Sequence, residues 1–170
     1  MDDLTTGRRW WLIVRGLARA AAVTAVMVAL YYTLPLRPRS VAHLLIELAI
    51  GVAVLTAMIA WELRAILRSD FPGIRATQAL AATTALLLLL FASTYFVMSA
   101  DDPAAFTETL SRSDALYFTI VVFSTVGFGD ITPDAEAARL VVGGQILLDL
   151  LVLGLGIQVI LGAVRRSRAT

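Results

Sequence analysis

The sequence predicts an all-α integral membrane protein with four membrane-spanning helices and one short helix that enters the membrane without crossing it. Hydrophobic residues make up 59% of the 170 residues, whereas soluble domains are about half apolar. Four apolar segments are long enough to cross a hydrocarbon core of about 30 Å. Between the last two lies a shorter aromatic helix followed by a loop with glycine at alternate positions.

The chain divides into a basic start, two peripheral helices, a module of two helices with a short helix and loop between them, and a basic tail. Hydropathy alone predicts the peripheral helices, and neither carries arginine at every third position, as a standard voltage sensor would. The predicted segments are a cytoplasmic or interfacial start (1–16), a peripheral region (17–68), a module (74–164) and a cytoplasmic tail (165–170). The peripheral region contains two helices, at 17–34 and 41–63. The module contains the outer helix (74–98), the short helix (112–124), the loop (125–130) and the inner helix (137–164).

The short helix has a clear start signal. Ser111 and Asp114 have the spacing of a capping box, in which each side chain bonds to the other residue's backbone N–H. The helix that follows is about 20 Å long at 1.5 Å per residue, too short to cross the membrane. It therefore enters and stops, and the chain continues into the loop.

The loop after the short helix has a backbone suited to binding a dehydrated cation. Successive carbonyls point the same way only if the backbone alternates between ordinary and left-handed conformations, which glycine adopts most easily. Gly127 and Gly129 provide this at alternate positions. Thr125 adds a hydroxyl oxygen, and Val126 and Phe128 are expected to pack outward and hold the loop in shape.

This loop resembles the selectivity filter of the potassium channel family, Thr-Val-Gly-Tyr-Gly, with Phe128 in the place of tyrosine. The resemblance covers about 76–164 and implies passive, selective K⁺ conduction by a homotetramer, with three further copies completing the pore around a central axis. It implies no cofactor besides the permeant K⁺ ions. The residues expected to bind K⁺ in this filter loop (125–130) are Thr125, Val126, Gly127 and Phe128, with Gly129 completing the filter.

The residues expected to support the filter loop depart from the family pattern. Phe128 lacks the tyrosine hydroxyl, and Tyr117 and Phe118 replace a frequent tryptophan pair. Val121 stands where some members carry a carboxylate that pairs with the residue matching Asp130 at the outer mouth. We therefore predict a filter held more by packing and less by hydrogen bonds. A weakly selective monovalent cation channel remains the alternative within channels.

Asp149 is the most unusual residue of the inner helix, because it stands where the family has a hinge glycine. A carboxylate near mid-membrane must be paired, protonated or facing water. One hypothesis is a ring of four carboxylates at the cavity that concentrates cations or binds a blocking cytoplasmic polycation. The alternative is a hydrogen bond that fixes packing, and Gln145 lies one turn earlier on the same face. The other residues predicted to line the cavity are Leu150, Leu153 and Ile157.

The positions of the glycines in the inner helix predict two different roles. Gly143 and Gly144 are expected to be packing sites, and Gly154 and Gly156 are the hinge candidates.

Arginine positions predict the orientation. With the N-terminus in the cytoplasm, most of the fourteen basic residues lie inside, which obeys the positive-inside rule. The filter loop then opens outward, and both termini of this multi-pass protein are cytoplasmic in a plasma membrane of bacterial inner-membrane type. The arginines left outside are Arg37, Arg39, Arg112 and Arg139.

Composition argues against several other functions. A net charge of +1 gives no basis for nucleic-acid binding, and the absence of cysteine excludes disulfides and thiolate metal sites. No nucleophile–base pair or metal-ligand cluster suggests an enzyme. His43, the single histidine, is interpreted as an interfacial residue. A non-conducting membrane scaffold or subunit is the remaining rival, although it has no need of an intact filter motif.

Overall fold

The computed structural model describes residues 24–33, 41–67 and 72–167, together with the single positions 11, 14, 18, 21 and 22. The described part of the chain is helical apart from the segments that flank the short helix. Predictions for residues 1–10, for the turn at 34–40, for the His43 side chain and for residues 168–170 lie outside the described residues. The helices are α1 (Thr24–Thr33), α2 (Val41–Leu67), α3 (Pro72–Asp101), α4 (Arg112–Phe123) and α5 (Glu136–Ser167).

Two of these helices contain segments that are long and apolar enough to cross a membrane. They are Thr77–Asp101 in α3 and Glu136–Gln158 in α5. Within the described residues, the other two predicted spans contribute shorter apolar stretches, Thr24–Thr33 and Leu48–Glu62. As a whole, α2 has 27 residues, or about 40 Å of helix, so its length is sufficient for a crossing.

Helix α3 begins earlier than the sequence suggested. Pro72 and Gly73, which precede the predicted start of the outer helix at residue 74, are its first residues. Proline suits the first helical position, because its missing N–H would have no partner within the helix there and its fixed φ is already helical.

Helix α3 is central to the packing, since α2, α4 and α5 all contact it. The ring of Tyr95 is at the centre of an aromatic cluster, with centroids 5.2 Å from Phe118 of α4, 5.7 Å from Phe106 and 6.0 Å from Phe91. The edge-to-face geometry of the first two pairs is the favourable arrangement for aromatic rings. This cluster fixes α4 against α3 and against the loop that follows α3.

The end of α1 docks on the start of α4. Tyr31 is buried, and its hydroxyl donates to the backbone carbonyl of Arg112 at 2.6 Å. In return, the Arg112 guanidinium donates to the Tyr31 carbonyl and lies 4.9 Å from the ring centroid of Phe96 on α3. These contacts join a peripheral helix to the short helix within one chain.

Candidate functional site: the filter loop and its supports

The capping box predicted at the start of α4 is confirmed. The Asp114 backbone N–H donates to Ser111 Oγ at 3.2 Å, and the Ser111 backbone N–H donates to Asp114 Oδ2 at 2.9 Å. These hydrogen bonds with Ser111, its side chain foremost, hold the pKa of the Asp114 carboxyl below its ordinary value. The negative charge also lies at the positive end of the helix dipole, so it stabilises the start of α4.

The end of α4 passes directly into the filter loop through three backbone hydrogen bonds. The N–H groups of Ser124, Thr125 and Val126 donate to the carbonyls of Ile120, Val122 and Val121, at 2.9, 3.0 and 3.2 Å. The orientation of the loop is therefore set by the last turn of α4. The negative end of the α4 dipole lies at the same place and favours a nearby cation.

Left-handed backbone occurs at every second residue of the loop. The φ angles are +58° at Thr125, +59° at Gly127 and +77° at Gly129. The alternation predicted for the two glycines is confirmed. The positive φ of Thr125 could not be predicted from its residue type, because a β-branched residue is rarely left-handed and is strained there.

The outward packing expected of Val126 and Phe128 stays a prediction, since both side chains are exposed in the single chain. The side chain of Val126 is 53% exposed and that of Phe128 is 69% exposed, and Gly127 and Gly129 are exposed as well. Across residues 127–129, the backbone has no hydrogen-bond partner among the described residues. The part of the chain that the structure describes therefore leaves this stretch of backbone unpaired.

The outer end of the loop is held by a hydrogen bond that the sequence reasoning missed. Tyr117 Oη donates to Asp130 Oδ2 at 2.7 Å, and Asp130 Oδ1 accepts the Ile131 backbone N–H at 3.0 Å. The prediction of a filter held more by packing and less by hydrogen bonds did not include this bond, in which a phenol takes the place of the missing indole donor. The bond from Tyr117 holds the pKa of the Asp130 carboxyl below its ordinary value of 3.8.

The segment leaving the filter loop is tied to the loop after α3. Thr107 N–H donates to the Thr132 carbonyl at 3.0 Å, and the Asp134 N–H donates to the Ala105 carbonyl at 2.9 Å. Both ends of the filter loop are thereby anchored, at α4 before it and at residues 105–107 after it.

The remaining predicted support residues lie behind the loop. Phe118 and Val121 are both buried, Phe118 in the aromatic cluster around Tyr95. Val121 contributes its carbonyl to the loop anchor, and its side chain brings no carboxyl group to Asp130.

Asp149 does not lie on the exposed face of α5 that carries the other cavity candidates. It is 3% exposed and turned toward the interior of the chain, where Gln145 Nε2 donates to its Oδ2 at 3.1 Å. Leu150, Leu153 and Ile157 are exposed in the single chain. The cavity hypothesis for Asp149 is therefore wrong in this structure, and the packing alternative has the observed geometry.

The roles assigned to the inner-helix glycines also change. An added Cβ at Gly156 would lie 3.0 Å from Leu80 Cδ2, so Gly156 lies at a close approach between α5 and α3, and its hinge role stays a prediction. At Gly143, Gly144 and Gly154 the space within the chain is open. Gly143 and Gly144 are thus not packing sites within one chain.

Comparison with known proteins identifies the family that has this arrangement. Residues 83–166, from α3 to the end of α5, match the family model described as ion channel. Kch, a voltage-gated potassium channel of Escherichia coli K12, is 32% identical over 153 residues, which are 89% of this chain and 34% of that protein. The chain belongs to the potassium channel family.

Other potassium channels match shorter parts of the chain. Two-pore potassium channel 4 of Arabidopsis thaliana is 41% identical over 76 residues, covering 40% of this chain and 27% of that protein. Human potassium channel subfamily T member 1 is 38% identical over 92 residues, covering 54% of this chain and 7% of that protein. The chain thus spans about a third or less of the length of these relatives. No solved structure matches it.

Proposed function

We propose that the chain forms a homotetrameric, K⁺-selective channel that conducts passively, with the filter loops of four copies surrounding the ion. The observation that carries the proposal is the backbone of residues 125–129. Left-handed φ at alternate positions lets successive carbonyls face one side, and carbonyl rings replace the hydration shell of K⁺. The expected K⁺ ligands are the carbonyls of residues 125–128 and the hydroxyl of Thr125.

The need for further copies follows from the exposure of the loop. One loop cannot surround an ion, and unpaired backbone is costly in lipid. Four copies around an axis would cover the exposed sides of Val126 and Phe128 and enclose the exposed face of α5. In this assembly Leu150, Leu153 and Ile157 line the cavity below the filter.

The proposal places four helices of each chain in the membrane, both termini in the cytoplasm, and α4 as a re-entrant helix on the outer side. Asp101 at the end of α3, with Asp102 and Glu108 in the loop after it, then borders the outer mouth and attracts cations.

Reconstitution tests the proposal. The purified chain is reconstituted in liposomes, and ion uptake down an inward gradient is followed with K⁺ and then with Na⁺ as the permeant ion. Uptake of K⁺ with little uptake of Na⁺ is the expected result. Equal uptake of both ions supports the weakly selective channel instead, and no uptake of either, from a preparation that chemical cross-linking shows to be tetrameric, contradicts the conduction proposal.

A further inference from the structure

A buried cluster of polar side chains joins α3, α4 and α5 behind the filter loop. Tyr95, Thr119 and Gln145 are fully buried, and Asp149 is nearly so. Tyr95 Oη donates to Gln145 Oε1 at 2.6 Å. Gln145 Nε2 donates to the Thr119 backbone carbonyl at 3.3 Å and to Asp149 Oδ2 at 3.1 Å. One amide therefore connects all three helices.

The orientation of the Gln145 amide follows from its neighbours. A backbone carbonyl can only accept, so the NH₂ group has to face Thr119. Asp149 accepts the second N–H on the same side, which leaves the amide oxygen for the Tyr95 hydroxyl. A flipped amide would set its oxygen against the Thr119 carbonyl and against the carboxyl group.

Stability does not explain the presence of Asp149. Its Oδ1 is buried without a hydrogen-bond partner among the described residues. A carboxyl group that is half satisfied inside an apolar helix is costly, and a leucine of similar reach would avoid that cost. The favourable polar contact that Asp149 does make is with Gln145, which points to a role exerted through that amide.

The position on α4 links this cluster to the ion pathway. Thr119 directly precedes Ile120, Val121 and Val122, whose carbonyls anchor the first residues of the filter loop. The Thr119 hydroxyl is bonded within α4, to the Ala115 carbonyl at 2.8 Å, so the link to α5 depends on the backbone carbonyl. A shift of α4 at Thr119 therefore moves the turn that sets the loop.

We propose that Gln145 is a positioning residue for the filter loop, and that Asp149 keeps its amide in the orientation that grips the Thr119 carbonyl. Tyr95 completes the arrangement by fixing the amide oxygen to α3. Movement of α5 would then be passed to the filter loop through one amide group. This inference rests on the proposed K⁺ conduction and deepens it by naming residues outside the filter that set its selectivity.

The test compares Gln145→Met with Thr94→Val. Methionine keeps the length of the side chain and removes all three hydrogen bonds. Thr94, the neighbour of Tyr95 in α3, is also buried, but the hydrogen bond that its hydroxyl makes among the described residues stays within α3, to the Leu90 carbonyl at 2.9 Å. We expect Gln145→Met to lower the K⁺/Na⁺ permeability ratio about fivefold, the factor that one hydrogen bond of typical strength supports. The ratio of Thr94→Val should stay at the wild-type value.

Two further variants keep the test decisive if Gln145→Met does not assemble. Tyr95→Phe removes one hydroxyl and keeps the ring in its aromatic cluster, and Asp149→Leu removes the carboxyl group. Both should lower the permeability ratio. Asp149→Leu tetramers should melt at or above the temperature of the control, whereas Tyr95→Phe tetramers should melt below it, because the buried Gln145 oxygen loses its donor. Lower melting temperatures with an unchanged ratio would show a structural role only and overturn the inference. Wild-type protein that does not conduct K⁺ would instead refute the proposed function, before any variant is compared.

Discussion

Replacing Gly129 by alanine tests whether the left-handed backbone of the filter loop matters for conduction. Gly129 has φ +77°, and an added Cβ would meet nothing within 4 Å among the residues that the structure describes. Within the chain, the cost is therefore backbone strain alone, about 1–2 kcal/mol for an L-residue in this region. Four copies raise it to roughly 4–8 kcal/mol per tetramer, close to the whole stability of a small domain, roughly 5–15 kcal/mol. The loop should relieve this strain by changing conformation and losing its aligned carbonyls.

Gly143→Ala is the matched control. Its added Cβ also meets nothing within 4 Å, and its φ is ordinary because it lies within α5. Alanine should stabilise this helix by up to about 1 kcal/mol per chain. In liposomes with equal amounts of protein, Gly129→Ala should lose K⁺ uptake and Gly143→Ala should retain it. Equal uptake and equal selectivity in the two variants would refute the reasoning from φ.

Three further predictions concern the supports of the filter loop. Tyr117→Phe removes the hydroxyl bonded to Asp130 and should destabilise the outer mouth, seen as faster loss of K⁺ current during sustained conduction; an unchanged time course would contradict it. Because the pKa of Asp130 is lowered in the folded chain, its hydrogen bond with Tyr117 should be fully present above the ordinary pKa of 3.8. The bond should be lost only as the outer pH falls through the lower pKa of the folded chain. A pH titration of the current should therefore show a loss of current in acid that is absent in Tyr117→Phe. Ser111→Ala removes the N-cap side chain of α4 and should cost about 1 kcal/mol per chain, measured as a lower melting temperature. The pKa of the Asp114 carboxyl should rise toward its ordinary value, because the side-chain hydrogen bond is lost while the one from the backbone N–H of residue 111 remains. No change in melting would argue against the cap.

The sequence carried the local features of the filter loop because their causes are local. The Ser111–Asp114 spacing defines a capping box wherever a helix begins, and alternate glycines favour left-handed backbone at their own positions. The positive φ at Thr125 could not be foreseen in this way. It runs against the residue's intrinsic preference and is imposed by the hydrogen bonds that tie the loop to the end of α4.

Contacts between distant residues were the part that the sequence could not supply. Gln145 and Asp149 were recognised as neighbours on one helical face, yet the direction of that face depends on how α5 packs against α3. Tyr117 replaces a tryptophan of the family pattern, and whether its own hydroxyl reaches Asp130 depends on how the loop folds back toward α4. Tyr95 had no sequence signal at all, since a tyrosine in an apolar helix has many common roles.

The most direct test of the central claim is the reversal potential of the reconstituted channel with K⁺ on one side of a planar bilayer and Na⁺ on the other. If the carbonyls of the filter loop replace the hydration shell of K⁺, the reversal potential should lie far from zero, with the sign that K⁺ selectivity requires. It should change with the K⁺ concentration alone. A reversal potential near zero, in wild-type protein that conducts and is tetrameric, would contradict a K⁺-selective filter in this chain.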